Sequence, residues 1–247
     1  MRFNWFKDKI AIIPIKGPIM EGQGGLLGSL GASSVSQAEK ILEKIAEKSR
    51  YKALILKINS PGGSPYKSRN LAKKIERLDL FKVALIEEQC ASGGYWIASS
   101  CDVIVADELS SIGGIGTISI RPDFSDFLDR LGIKFDIQSE GEFKKEGMPF
   151  SEMTEEGKEH RKEMVSEINE IFKEQVKKRR GINEESEVFE GKIFLGREAK
   201  KVGLVDHLGD KEKAVKIAEK NVGSKGLKIK DFSEEMRAGP SILDLIR

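Results

Sequence analysis

One serine of this chain stands where a hydroxyl group can act as a nucleophile. Ser92 follows an apolar segment, 82–86, with the pattern of a buried strand, and precedes an apolar segment, 95–98, typical of a buried helix. Gly93 and Gly94 come directly after it, and glycines there would let a substrate backbone approach the first amides of the helix. This pattern fits a nucleophile with an oxyanion site of backbone N–H groups. It equally fits a serine that only caps the helix, and both interpretations stay open.

A hydrolytic serine needs a base, and neither histidine stands in a suitable context. His160 lies among charged residues typical of a solvated helix face, and His207 lies in a late turn. A Ser-His-Asp triad is therefore disfavoured, and the G-x-S-x-G pattern is absent. Lysine remains, and Lys144 differs from the other lysines because it stands beside Phe143 in a loop bounded by glycines. Loop lysines are normally solvated and charged, so the pattern alone does not single out Lys144 as a base.

Alternating strand-like and helix-like segments predict an α/β fold with a mostly parallel sheet. Ligands of such folds bind at the carboxyl ends of strands, and the glycine-bearing turns 59–65 and 92–94 both fall there. A further glycine-rich stretch, 17–31, predicts a loop or lid over a site. We predict strands at 9–16, 53–58, 82–86, 103–106, 133–137 and, weakly, 227–230, and helices at 36–47, 65–78, 152–180, 197–202 and 211–220.

Length, charge and cysteine content limit the classes of function. A chain of 247 residues suits one domain with a sizeable core, and 42 basic against 40 acidic residues, mixed along the helices, argue against a nucleic-acid partner. The apolar run 10–15 is too short for a membrane span and has no cleavage-site pattern. We therefore expect a cytoplasmic chain as written, with membrane association left open. Cys90 and Cys101 are expected to be buried thiols, and nothing indicates a metal or a cofactor.

Four segments resemble motifs of the signal peptide peptidase A or protease IV family, which is peptidase family S49. The segment 91–97 resembles the family's nucleophile segment, and 59–63 resembles its oxyanion-side turn. The loop 141–149 is similar to its lysine loop, with Lys144 at the catalytic lysine. The segment 196–206 resembles its C-terminal signature. The motifs occur in the family's order, and the resemblance extends from about residue 10 to residue 209.

The resemblance implies a ClpP/crotonase-like fold, α/β with a mostly parallel sheet and a C-terminal helical extension. One peptidase domain would span 1–247, with an α/β core over about 9–138 and the lysine loop and helical part over about 139–247. The implied activity is that of a serine endopeptidase on hydrophobic or small-residue peptides, such as signal-peptide remnants. Ser92 would attack the peptide carbonyl, and Lys144 would take its proton. The oxyanion would be held by the amides of Gly63, Gly62 and Gly93.

The resemblance also implies partners. The substrate would be a peptide or an unfolded protein, and the chain would form a homo-oligomer in which neighbouring subunits complete each site. The apolar stripe of the helix predicted at 152–180 is expected to serve as a docking or oligomer surface rather than as a cofactor site. That stripe comprises Met164, Ile168, Ile171, Phe172 and Val176.

One departure from the family bears on activity. Family members have a serine where this chain has Gly114, so the hydroxyl that orients the lysine is missing unless Ser111 replaces it. We expect modest turnover that rises toward alkaline pH, and Gly114→Ser should raise kcat if the turn accepts a side chain. Two other classes of function stay open. A non-catalytic pseudo-protease scaffold would explain Gly114, whereas a crotonase-like acyl-CoA enzyme would share the fold without using Ser92 or Lys144.

Overall fold

The structure, a computed structural model, describes residues 8–20 and 34–237. Most of the loop predicted at 17–31 lies outside the described residues. The chain divides into two compact units. We call the part up to Gly116 and from Phe172 onward the sheet unit, and the part Thr117–Ile171 the insert. The expectation of a single peptidase domain stays a prediction.

In the described part of the sheet unit, eight strands form one sheet. They are β1 Lys9–Lys16, β2 Tyr51–Ser60, β3 Phe81–Ala91, β4 Val103–Ala106, β5 Ser111–Gly113, β6 Ile193–Leu195, β7 His207–Leu208 and β8 Lys228–Asp231. The strand order is β6-β5-β3-β2-β1-β8, with β4 paired to β3 and β7 paired to β4. All pairs are parallel except β5 with β6, which confirms the predicted mostly parallel sheet.

Helices cover the faces of this sheet, as the parallel arrangement requires. Those of the sheet unit are α1 Ser34–Ala46, α2 Pro65–Glu76, α3 Gly93–Ala98, α6 Gly196–Lys201, α7 Lys211–Asn221 and α8 Ser233–Arg237. The insert holds α4 Ser125–Arg130 and the first part of α5 Glu155–Arg180. Ala214 and Ala218 of α7 pack on a core that includes Ile55, because alanine lets a helix lie close to a sheet. Burying one such isoleucine contributes about 1.5–3 kcal/mol.

β3 carries a surplus of two residues just before Ser92. β2 and β3 pair one to one up to Ile58 opposite Ile86, and pairing resumes with Ser60 opposite Cys90. Three residues of β3 therefore lie opposite Asn59 alone. Because the surplus is even, the alternation of side chains between the two faces is preserved, and Cys90 is fully buried like the strand before it.

Most of the predicted elements are present, with two instructive differences. β1 and β4 have the predicted bounds, and the strand predicted at 82–86 continues to Ala91, directly before Ser92. The strand predicted at 133–137 is wrong, since those residues are in neither a strand nor a helix. Their apolar alternation has no neighbouring strand to pair with, and Phe135 instead stacks on Phe150 within the insert, with ring centroids 4.5 Å apart.

Part of the apolar stripe of α5 is used inside the chain. Phe172 is buried and stacks on Trp96 of α3 at 4.4 Å between ring centroids. Val176, one turn further along, is also buried. An oligomer surface is therefore excluded for these two residues, whereas Met164 in the insert is 51% exposed. None of the helices in the described residues has the length and apolar character needed to cross a bilayer.

Candidate active site

Ser92 has a backbone conformation that no other described non-glycine residue shares. Its φ is 51° and its ψ is −123°, in the left-handed half of the conformational map. A left-handed φ costs an L-residue about 1–2 kcal/mol. Hydrogen bonds hold the strained residue in place, since its N–H donates to Gly113 O at 2.9 Å and its carbonyl accepts from Trp96 N–H at 3.0 Å. Strain of this kind concentrates at functional turns.

The side chain of Ser92 does not cap α3. Ser92 occupies the N-cap position, but its hydroxyl makes no capping hydrogen bond. The capping interpretation that the sequence left open is therefore wrong. A sharp strand-to-helix turn with positive φ is a known way to present a nucleophilic serine.

The helix behind Ser92 is anchored to distant parts of the chain. Tyr95 is fully buried, and its hydroxyl donates to Leu204 O at 2.9 Å. The indole N–H of Trp96 donates to Gln175 Oε1 at 2.7 Å. These contacts fix the direction of α3 and hence the direction of its first amide groups.

The turn after β2 packs directly on Ser92. Ser60 is fully buried, and its Oγ donates to Gly17 O at 2.7 Å and accepts from Gly62 N–H at 3.1 Å. A Cβ at Gly62 would lie 2.8 Å from Ser92 Cβ and 2.6 Å from Gly93 N, so only glycine fits there. The sequence drew attention to the glycines but missed Ser60, whose place before Pro-Gly-Gly is typical of a residue that closes a turn.

Two backbone amides converge beside Ser92. A Cβ at Gly93 would lie 3.3 Å from Gly63 N, which places the N–H groups of these two glycines close together. Gly93 is the first residue of α3, so its N–H has no acceptor within the helix. Neither N–H has a backbone acceptor among the described residues. The third predicted donor, Gly62, already donates to Ser60 Oγ.

Gly114 lies beside the same serine. A Cβ at this position would be 3.3 Å from Ser92 N and 3.1 Å from Ile193 Cδ1, and the φ of Gly114 is 59°. A serine here would be strained and crowded. The condition for an activating Gly114→Ser substitution, a turn that accepts a side chain, is therefore not met without a shift of the neighbouring atoms. Ser111, the predicted substitute, pairs with Gln89, three residues before Ser92.

The position of His207 agrees with the expectation that disfavours a triad. His207 pairs with Val105, which lies opposite Leu85 of β3, seven residues before Ser92. Two of those seven residues are the surplus of β3, so at about 3.3 Å for each of the other five His207 is roughly 17 Å from Ser92 along the strand direction. The two cysteines are free and buried, as predicted, and burial raises the pKa of the Cys101 thiol to about 12. Neither thiol is an ionised nucleophile.

Lys144 lies in the insert, in an exposed run of tight turns. Its own N–H donates to Gly141 O at 3.1 Å, and Glu146 N–H donates to Phe143 O at 3.2 Å. The other histidine, His160, also belongs to the insert, where its ring lies 5.4 Å from the Phe143 ring. The predicted nucleophile thus belongs to the sheet unit and the predicted base to the insert.

Known proteins that are named proteases are similar in sequence to this chain. The family model of peptidase family S49 matches residues 82–225. A putative protease of Methanocaldococcus jannaschii is 34% identical over 81% of this chain, and protease 4 of Haemophilus influenzae is 31% identical over 92% of it. The chain spans 65% and 37% of the lengths of these two relatives.

A solved structure shares the fold. It is that of the 1510-N membrane-bound stomatin-specific protease, in a serine-to-alanine mutant form, which is similar with a TM-score of 0.56 over 91% of this chain and 97% of that one. At 16% identity, the likeness concerns the fold alone and agrees with the ClpP/crotonase-like fold that the sequence predicted. The family match covers more than half of the chain. This chain belongs to peptidase family S49.

Proposed function

We propose that this chain is a serine endopeptidase in which Ser92 is the nucleophile and Lys144 is the general base. The observation that carries the proposal is the strained, non-capping Ser92 at the start of α3. Membership of family S49 supports it, and so does the position of Lys144 in a loop similar to the family's lysine loop. The substrates are hydrophobic or small-residue segments of peptides or unfolded proteins.

The chemistry follows from the groups around Ser92. Lys144, as a neutral amine, takes the proton of the Ser92 hydroxyl while Oγ attacks the carbonyl carbon of the substrate. The negative charge that forms on the carbonyl oxygen is bound by the N–H groups of Gly63 and Gly93. The N–H of Gly62 is already bound to Ser60 Oγ, so it is not free to bind the oxyanion. Gly62 contributes instead the space that its missing side chain leaves beside Ser92. Lys144 then returns the proton to the leaving amine, and water hydrolyses the acyl-enzyme.

The proposal includes a homo-oligomer in which Ser92 of one subunit works with Lys144 of its neighbour. The insert supports this view because it exposes large apolar side chains that a subunit contact would bury. Four of them, each more than half exposed, are Ile118, Ile120, Phe127 and Leu131. A heterologous interface of this kind forms a ring when the rotation between neighbouring subunits closes.

Mixing two inactive variants tests this arrangement. In rings assembled randomly from Ser92→Ala and Lys144→Ala subunits, about a quarter of the junctions pair an intact serine with an intact lysine. We expect co-expression to restore about that fraction of activity. Verified mixed rings without any activity would show that each site lies within one chain.

Active-site labelling tests the peptidase itself. A fluorophosphonate should react with Ser92 in the wild-type protein and leave the Ser92→Ala variant unlabelled, as mapped by mass spectrometry of the digested protein. Ser111→Ala serves as a control, and it should keep its label on Ser92. Labelling at another serine, or full hydrolysis of a fluorogenic peptide by Ser92→Ala, would contradict the proposal.

A non-catalytic scaffold is the second candidate, and Gly114 favours it. No hydroxyl stands at the position that orients the lysine in the family, and the left-handed φ of Gly114 favours glycine. A folded protein that takes no phosphonate label and cleaves no peptide would establish the scaffold instead of the peptidase.

A further inference from the structure

A buried carboxylate lies two residues after Lys144. The Glu146 residue is 8% exposed, and its Oε2 accepts a hydrogen bond from Thr154 N–H at 2.9 Å. Thr154 directly precedes α5, so this carboxylate lies at the positive end of that helix. A buried carboxylate persists only where hydrogen bonds or charges compensate its lost hydration. The chain therefore buries, two residues from the proposed base, a group whose burial costs hydration free energy.

The first turn of α5 leaves space for this carboxylate. A Cβ at Gly157 would overlap Glu146 Oε2 and lie 2.6 Å from its Cδ, so the fit depends on glycine. Thr154 holds the turn from the other side, because its Oγ1 accepts from Gly157 N–H at 3.0 Å. Glu146, Thr154 and Gly157 thus form one contact between the lysine loop and α5.

Two further contacts hold the same loop within the insert. The ring of Phe143, directly before Lys144, packs on His160 of α5. The guanidinium of Arg121 binds the carbonyl oxygens of Met148 and Ser151, the first through Nε at 3.1 Å. The backbone that carries Lys144 is therefore fixed on both sides, while the residue itself is exposed.

We infer that Glu146 is a positioning residue for the general base, holding the turn of Lys144 against the start of α5. The inference rests on the proposed role of Lys144. A general base must lie within hydrogen-bond reach of the proton that it takes. A displacement of about 1 Å can cost about 100-fold in rate. A loop that is loose on one side would lose that accuracy without losing its ability to bind substrate.

Three variants test the inference, with hydrolysis of a fluorogenic peptide as the assay. We expect Glu146→Ala to lower kcat by about 10- to 100-fold, with KM changed less than about threefold. Glu146→Gln keeps an acceptor for Thr154 N–H and should recover most of that loss. Gly157→Ala, which displaces the carboxylate without removing it, should resemble Glu146→Ala. If Glu146→Ala does not fold, Gly157→Ala makes the same test.

A double variant separates positioning from mere stability. In Glu146→Ala/Gly157→Ala the added methyl group meets no carboxylate, so the combined loss should be smaller than the product of the two single losses. The control Glu142→Ala, an exposed carboxylate of the same loop, should leave kcat unchanged.

The outcomes distinguish this inference from the proposed function. If Lys144→Ala is inactive while Glu146→Ala keeps kcat within twofold at every pH, the positioning role is refuted and the dyad stands. A lowered kcat with no recovery in Glu146→Gln also refutes positioning. If Lys144→Ala hydrolyses peptide at the wild-type rate, the proposed function fails whatever Glu146 does.

Discussion

The surroundings of Ser92 and of Lys144 are built in opposite ways. Ser92 is held by contacts between residues far apart in the chain, such as the bond from Tyr95 to Leu204, and the helix behind it is buried. Lys144 lies on an exposed loop held by near neighbours, such as Glu146 with Thr154, eight residues later. The proposed nucleophile thus depends on the global fold, and the proposed base depends on a local module. Stability and activity should therefore respond to mutations in different places.

The sharpest test of the comparison is a pair of neighbouring lysines. If Lys144 is the base as proposed, Lys144→Ala should lower kcat/KM by several orders of magnitude, because removal of a general base costs most of the rate. Lys145→Ala removes the same charge one residue later and should stay within about twofold of wild type, with both proteins unfolding at the wild-type temperature. Equal losses in both variants would mean that the loop acts only through its positive charge.

Truncation of Trp96, whose indole lies in the helix behind Ser92, tests whether the surroundings of Ser92 depend on the global fold. Trp96 is buried, stacked on Phe172 and bonded to Gln175. Trp96→Ala should lower the free energy of unfolding by about 3–5 kcal/mol, measured by urea denaturation. Phe143→Ala, in the half-exposed lysine loop, should cost less than about 1 kcal/mol while lowering kcat. Similar stability losses in the two variants would remove the distinction between the two regions.

A side chain introduced at Gly114 tests how closely the residues around Ser92 are packed. Gly114→Ser forces a side chain into a left-handed conformation near Ser92 N, so stability should fall by about 1–2 kcal/mol and kcat should not rise. Gly116→Ser is the matched control, because a Cβ there meets nothing closer than Gly191 Cα at 3.5 Å. A stable Gly114→Ser enzyme with increased kcat would show instead that the turn adapts to the family's serine.

The smallest expected effect is a change in the stability of the folded protein at acid pH, caused by Asp123 of the insert. Hydrogen bonds from the hydroxyl and N–H of Ser125, and then from Arg121, lower the pKa of Asp123 to about 2. Because the charged form is the one bound in the folded protein, its stabilisation is complete above about pH 4. It is lost as pH falls through about 2. Asp123→Asn should flatten the dependence of the unfolding temperature on pH between 2 and 4, and an unchanged slope would contradict the assignment.

The sequence predicted well what burial determines. β1 and β4 were predicted with correct bounds because fully buried parallel strands are continuous apolar runs. The junction at Ser92 followed from the same reasoning, but its positive φ has no signature in a serine. Lys144 was found only through a resemblance, because a loop lysine has no pattern of its own. Glu146 was missed since a glutamate among lysines is normally solvated.

The two surplus residues of β3 also bear on how this strand can vary in length. The position of Ser92 is set by the pairing of Cys90 with Ser60 and of Ala91 with Gly113, after the irregular stretch. Removing Glu87 and Glu88 together would leave those pairs intact and every later side chain on its present face. Removing either one alone would move Cys90 to the other face of the sheet and turn Ser92 away from Gly62. We therefore expect this stretch to accept insertions or deletions of two residues rather than of one, because an even change keeps Ser92 on its present side of the strand.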